Sequence, residues 1–301
     1  MPDTQARLRA AALALLVTFL WSTSWVLIRK VLDDDNRLPP VTFAGLRYAL
    51  AALLLVAWMS SGPRRGVLGE LERASFWPLV ALGVVMYAVT QGAQFVAIDS
   101  QPAATTNLML AMTPLVVALS SAALLGEHTT PIQRVGGAVI VAGAVVYFAG
   151  DLGATAVGMT AASIGLVANV GAALLGRSIN RSAAVTPTVV TTVSMSVGAV
   201  LLIATGLAVD GWPRPSPSAA LIIAWLAVVN TALAFTWWNQ TQRVLRATET
   251  AAINTTMAAQ IPILGWIFLD EALGAAEIVG ITLVVVGVLT MRARRQPNSP
   301  G

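Results

Sequence analysis

Apolar residues fall into ten long runs, and nearly every charge lies in the short segments between them. A bilayer core of about 30 Å needs about 20 helical residues at 1.5 Å each, and backbone in lipid must satisfy its hydrogen bonds internally. The pattern therefore predicts membrane-spanning helices over residues 10–29, 41–60, 76–97, 103–125, 132–149, 155–176, 187–208, 218–239, 248–269 and 275–291. The breaks carry turn or charge chemistry, as in Asp33-Asp34-Asp35-Asn36 with Pro39-Pro40, Ser60-Ser61-Gly62-Pro63, Gly150-Asp151 and Asp210-Gly211-Trp212-Pro213. None is long enough for a soluble domain, so the expected fold class is an all-α membrane protein of ten transmembrane helices.

Composition agrees with this pattern. Of 301 residues, 56% are hydrophobic and 11% charged, and mean hydropathy is +0.76, more apolar surface than a water-soluble core could hide. The pI near 10.3 comes from connecting segments, not from a basic stripe on a soluble face, which argues against a nucleic-acid partner. With no cysteine and one histidine, His128, the chain is poorly supplied for disulfides, thiol chemistry, Cys/His metal sites or a Ser/His triad, and neither metal nor cofactor is expected. The first run follows Arg7 and Arg9, outlasts a signal-peptide core and has no clear cleavage site, so it is expected to be retained as a helix.

Lys and Arg are distributed unevenly between the two sides that alternate along the chain. Thirteen fall on the side of the termini: Arg7, Arg9, Arg64, Arg65, Arg73, Arg134, Arg177, Arg181, Arg243, Arg246, Arg292, Arg294 and Arg295. Four fall on the other: Arg29, Lys30, Arg37 and Arg214. The positive-inside rule then places both termini in the cytoplasm of a multi-pass protein of the inner or plasma membrane.

The second half repeats the first. A shift of 144 residues brings Glu127 onto Glu271, Gly136 onto Gly280, Val141 onto Val285 and Gly143 onto Gly287, while Arg29 meets Arg177 at a nearby offset. Units of five helices, expected over 10–150 and 154–292, enter the membrane from opposite sides. Inverted repeats recur in secondary transporters, where two copies exchange conformations around a central site. A duplication that merely stabilises a bundle is the alternative.

The motifs resemble those of EamA-type members of the drug/metabolite transporter superfamily. Leu20-Trp21-Ser22-Thr23-Ser24-Trp25 is similar to the family's W-G-x-x-F opening, with Ser22 where glycine is common, and Pro39-Pro40 before Leu46-Arg47-Tyr48 resembles its second helix. Thr113-Pro114, Leu125-Gly126-Glu127 and Gln133-Arg134-Val135-Gly136 resemble a further signature, repeated at Ile261-Pro262, Leu269-Asp270-Glu271 and Val279-Gly280. Pro262 lies nine residues before its Glu, against thirteen for Pro114. The resemblance spans about residues 10–292 and implies ten helices that move small metabolites, often amino acids or related compounds.

Several side chains are candidates for holding a substrate. Trp21 lies deeper in the first helix than Trp25, which is as well read as an interfacial anchor. Arg47 is a charge inside a span, which calls for a partner, a wet cavity or a snorkelling path; it either attracts a carboxylate or phosphate or contacts backbone between helices. Tyr87, Gln91 and Gln94 form a polar stripe at helical spacing, and Trp238 occupies the position equivalent to Gln94. Asn107 and Asn254, ahead of Asn169 and Asn230, place amides at membrane depth, either lining a cavity or bridging helices. Pro114 and Pro262 are candidate hinges or static bends. Glu127 and Glu271 read as caps of the helix that follows each, and Gly136, Gly143, Gly280 and Gly287 as a close-packing seam.

With no acidic residue clearly inside a span, proton coupling through a deep carboxylate lacks its carrier, so facilitated diffusion stands beside coupled export. An intramembrane enzyme would require paired carboxylates, a metal site or a buried nucleophile with its base, and a receptor or scaffold would call for a soluble signalling segment. The expected partners are a small-molecule substrate and the lipid bilayer. Substrate identity, flux direction and homodimer formation are left open.

Overall fold

The computed structural model describes residues 4–33, 38–61, 71, 73–113, 115–116, 130–149, 153–182, 185–242, 244–245, 253–254 and 256–292. Every regular element among them is helical. In chain order these are α1 (Thr4–Leu32), α2 (Pro40–Met59), α3 (Arg73–Leu82), a π-helical stretch (Gly83–Gln91) running without a break into α4 (Gly92–Ser100), α5 (Ala103–Ala111), α6 (Pro131–Phe148), α7 (Ala156–Ser182), α8 (Pro187–Asp210), α9 (Pro217–Trp225), a second π-helical stretch (Leu226–Leu233) running into α10 (Ala234–Gln242), α11 (Met257–Phe268) and α12 (Ala275–Arg292).

A repeated device starts these helices. α6, α8 and α9 each open on a hydroxyl residue followed by proline, whose missing N–H costs nothing at the first helical position. Thr130, Thr186 and Ser216 accept hydrogen bonds from Gln133, Val189 and Ala219 N–H. At α6 the Gln133 side chain returns a bond to Thr130 N–H at 2.9 Å, completing a capping box, so the glutamine of that motif orders a helix start.

Among the described residues, six helices are long and apolar enough to cross a membrane: Thr4–Leu32, Pro40–Met59, Ser75–Ser100, Ala156–Gly176, Thr188–Asp210 and Pro217–Trp238. Pro131–Tyr147, Met257–Phe268 and Ala275–Thr290 are shorter apolar helices. The first helix extends past the expected span at both ends, through Thr4 to Arg9 and Lys30 to Leu32. The spans expected over 103–125 and 248–269 are described only in part, since residues 117–129 and 246–252 lie outside the described set. Large apolar side chains such as Leu53, Val167 and Leu221 point outward, more than two-thirds exposed, on a surface that lipid can solvate.

Two antiparallel pairs anchor the bundle. In α6–α12, a Cβ on Gly143 would lie 2.8 Å from the Gly280 carbonyl oxygen, and one on Gly280 would lie 2.8 Å from that of Gly143. Only glycine permits this approach, and in lipid such close packing replaces the hydrophobic drive that associates helices in water. In α2–α8, Gly45 meets the Ile203 backbone, Thr42 Oγ1 donates to Asp210 at 2.9 Å, and Thr192 meets Met59.

One expected cap belongs to a different helix. Glu271 does not cap the helix that follows it; its carboxylate accepts from Ala103 N–H at 2.6 Å and Ala104 N–H at 3.2 Å, closing the start of α5 in the other half of the chain. Glu277 is the acidic residue in the first turn of α12. Glu127 lies outside the described residues.

Candidate functional site

The two π-helical stretches begin 143 residues apart, at Gly83 and Leu226, close to the 144-residue shift that aligns the glycines and glutamates in the sequence. An i→i+5 coil re-aims every side chain beyond it, and such segments favour functional positions. Thr90 Oγ1 shows this register by donating to the carbonyl of Val85, five residues back, at 2.8 Å. Tyr87 and Gln91 of the stripe expected at α-helical spacing therefore lie on a wider coil, and Gln94 follows on α4.

Between these stretches, α1 and α2 converge on a polar and aromatic cluster. Arg47 is buried, and its Nε donates to Thr231 Oγ1 at 3.0 Å. Its guanidinium sits 5.4 Å from the Tyr48 ring centroid. No other protein acceptor meets it among the described residues, and no carboxylate lies within ion-pair distance. A guanidinium carries five N–H donors, so the described residues leave most of this one's capacity unused.

Aromatic rings extend from that cation across the bundle. Tyr48 packs on Tyr87 at 5.6 Å, Tyr87 on Phe235 at 6.5 Å, Phe235 on Trp21 at 5.1 Å and Trp21 on Trp238 at 5.2 Å. Tyr48 Oη donates to Gln91 Oε1 at 2.7 Å, and Trp21 Nε1 donates to the Asn230 carbonyl at 3.1 Å. Asn230 Nδ2 in turn meets the Leu20 carbonyl and, at 3.3 Å, Thr23 Oγ1. Its Oδ1 is sealed from solvent and meets no hydrogen-bond donor among the described residues.

Trp21, Arg47, Tyr87, Gln91 and Trp238 thus come together as one cluster. Gln94 is half-buried on α4, one turn further on, with no side-chain hydrogen bond to another described residue. Asn107 is elsewhere: its Nδ2 donates to the Ala258 carbonyl at 3.3 Å. That carbonyl lies four residues before Pro262, which has no N–H to offer it, so Asn107 supplies the missing donor from α5. Pro262 is buried inside α11. Asn254 is exposed, ahead of α11, and Pro114 lies outside the described residues.

Tyr48, Thr231, Phe235 and Gln260 belong to the cluster or its border without having been singled out by pattern. Tyr48 adjoins Arg47 in sequence, and Phe235 lies one turn before Trp238; both signals were present. Ser22, where the resembling motif has glycine, donates to Gln260 Oε1 at 2.8 Å and ties α1 to α11. A separate apolar groove of about 570 Å³ lies between the first π-helical stretch and α7, bordered by Val85, Val89, Ile164 and Val167. No candidate substrate residue lines it, and the side-chain chemistry points to the polar-aromatic cluster instead.

Residues 8–149 and 155–293 each match the EamA-like transporter family. Over 294 residues, 92% of this chain and 97% of the relative, the sequence is 27% identical to a protein of Streptantibioticus cattleyicolor described as "Probable terminal-alkyne amino-acid exporter". A crystal structure superposes with a TM-score of 0.65 at 22% identity, covering 95% of this chain and 99% of that one, a likeness of fold.

Proposed function

Since the chain belongs to the EamA-like transporter family of the drug/metabolite transporter superfamily, we propose that it exports small carboxylate-bearing metabolites, amino acids or close relatives among them. Arg47 carries the reading: a buried cation with most donors unspent, at one end of an aromatic path, suits an amphipathic anion. Arg47 holds the carboxylate; Trp21, Tyr87, Phe235 and Trp238 hold the apolar body; Gln91 and Gln94 border the polar end. The amino-acid exporter named among the relatives supports this substrate class.

In this reading ten helices cross the membrane as two inverted five-helix repeats, 10–150 and 154–292, and alternate access to the site by exchanging conformations. Support comes from reciprocity. The antiparallel α2–α8 and α6–α12 pairs each join equivalent helices, as a two-fold axis in the membrane plane requires, and a Cβ on Gly143 would meet the Gly280 carbonyl oxygen at 2.8 Å while one on its equivalent Gly287 would meet that of Gly136 at 2.7 Å. The excess of Lys and Arg on the termini side supports cytoplasmic termini and residence in the cell membrane. Pro262, and Pro114 by equivalence, serve as pivots.

Uptake of radiolabelled amino acids into proteoliposomes, with and without an imposed pH gradient, tests the proposal. Saturable flux that falls at least about tenfold in Arg47→Gln and in Trp238→Ala is expected, on the scale of one lost charge-assisted contact. Undiminished flux in both variants would remove the site, and no flux of any carboxylate by the folded chain would remove the substrate class.

A further inference from the structure

Two polar residues, Asn230 and Thr231, stand side by side in the second π-helical stretch, which is otherwise apolar, and both are fully buried. Thr231 faces α2, where its Oγ1 accepts from Arg47 Nε at 3.0 Å. Asn230 faces α1, where its Nδ2 meets the Leu20 carbonyl and, at 3.3 Å, Thr23 Oγ1. Consecutive Cα atoms are about 3.8 Å apart, so one coil presents the anchor of the buried cation and an amide within the reach of a single small molecule.

The chemistry of its neighbours fixes which way that amide lies. A carbonyl oxygen only accepts, and Thr23 Oγ1 already donates its hydrogen to the Leu20 carbonyl at 2.7 Å, so it too has only lone pairs to offer. Both contacts therefore take the NH2 group, and both of its hydrogens are spent. Oδ1 is left sealed from solvent, and no donor among the described residues meets it. The large majority of buried side-chain polar atoms find a partner, so an orphaned acceptor beside a ligand-binding cluster calls for one. The Trp21 indole lies against the same residue, Nε1 donating to the Asn230 carbonyl at 3.1 Å while the ring packs on Phe235 and Trp238. An aromatic face beside an unmet acceptor suits a cation that carries N–H groups: the ring attracts the charge and the oxygen takes a hydrogen.

We propose that Asn230 Oδ1 and Trp21 form the subsite for the α-ammonium group of a zwitterionic amino acid, and that this subsite selects amino acids over the matching carboxylates that lack the nitrogen. The inference rests on the reading of Arg47 as the carboxylate's partner. In an α-amino acid the nitrogen and the carboxylate carbon share one Cα and lie about 2.5 Å apart, so its two charges need subsites as close as neighbouring residues of one coil provide. The side chains that seal Oδ1 must part for the ligand to enter. A ligand without the ammonium would leave Oδ1 unpaired in the occupied site, which is how a polar pocket rejects an analogue lacking its donor.

Thermal unfolding of the purified full chain in detergent, titrated with matched pairs, tests this: phenylalanine and 3-phenylpropanoate, leucine and 4-methylpentanoate, alanine and propanoate. A ligand that binds the folded chain raises its melting temperature with concentration, which gives an apparent affinity. The amino acid of a pair is expected to bind at least about tenfold tighter than its deaminated partner, on the scale of one buried acceptor left unmet. Asn230→Leu is expected to bring the amino acid down towards its partner and remove that preference. Asn230→Asp keeps an acceptor and is expected to retain the preference; it decides the matter should the leucine variant fail to fold. If both members of every pair bind the parent alike, if Asn230→Leu keeps the preference, or if Asn230→Asp loses it, the ammonium subsite falls while the carboxylate reading stands. If no member of any pair binds, the carboxylate reading falls and takes this inference with it.

Discussion

Replacing Arg47 with methionine should stabilise the protein while abolishing transport. A buried ion keeps a desolvation penalty of several kcal/mol, and here no carboxylate among the described residues offsets it. The compensations visible are one hydrogen bond to Thr231 Oγ1, about 1.5–3 kcal/mol for a charged donor, and proximity to the Tyr48 ring, about 0.5–2 kcal/mol. Methionine fills similar volume with an adaptable apolar chain, and Thr231 can turn its hydroxyl to the preceding turn of its helix. The balance favours the variant by about 1–2 kcal/mol, a rise of about 2–4 °C in apparent melting temperature for a chain of this size. Thermal unfolding of purified parent and variant in the same detergent, followed by size-exclusion recovery, gives the stability, and proteoliposome uptake gives the function. A melting temperature lowered by several degrees would refute the reasoning, because it would mean that the guanidinium is bonded as structure and not held in reserve for an anion.

Three further outcomes can be checked directly. Gly143→Leu forces a side chain onto the Gly280 carbonyl, 2.8 Å from where its Cβ would sit, and should cost at least about 1–3 kcal/mol, visible as a lower melting temperature; an unchanged value would show that α6 and α12 pack less closely. Asn107→Leu should cost about 0.6–1.7 kcal/mol in the parent but almost nothing in Pro262→Ala, whose restored N–H satisfies the Ala258 carbonyl, so a double-mutant cycle with additive effects would break the link between that amide and the proline. For topology, Trp212→Cys, 82% exposed, should react in intact cells with a membrane-impermeant maleimide while Gln5→Cys reacts only after lysis; the reverse pattern would invert the orientation.

What the sequence determined by itself is the part that depends on solvent and on periodicity. Twenty-residue apolar runs admit only a helix in lipid, so the positions of the six long apolar helices could be read without coordinates, and Gly136, Gly143, Gly280 and Gly287 marked a seam because a seven-residue interval keeps them on one helical face. Arg47 stood out for a similar reason: a charge within a span is costly enough to need an explanation. The tertiary structure decided what those groups meet. Tyr48 to Gln91, Arg47 to Thr231, Ser22 to Gln260 and Asn107 to Ala258 are contacts between helices far apart in the chain, and no local pattern specifies which helix faces which. The π-helical stretches escaped prediction because their residues are ordinary helix formers, and the extra residue per turn is stabilised by neighbours and not by the segment itself. Glu271 was misassigned as a local cap for the same reason. A carboxylate finds whichever unsatisfied N–H groups packing brings to it, and here packing brought those of α5 from the other half of the chain.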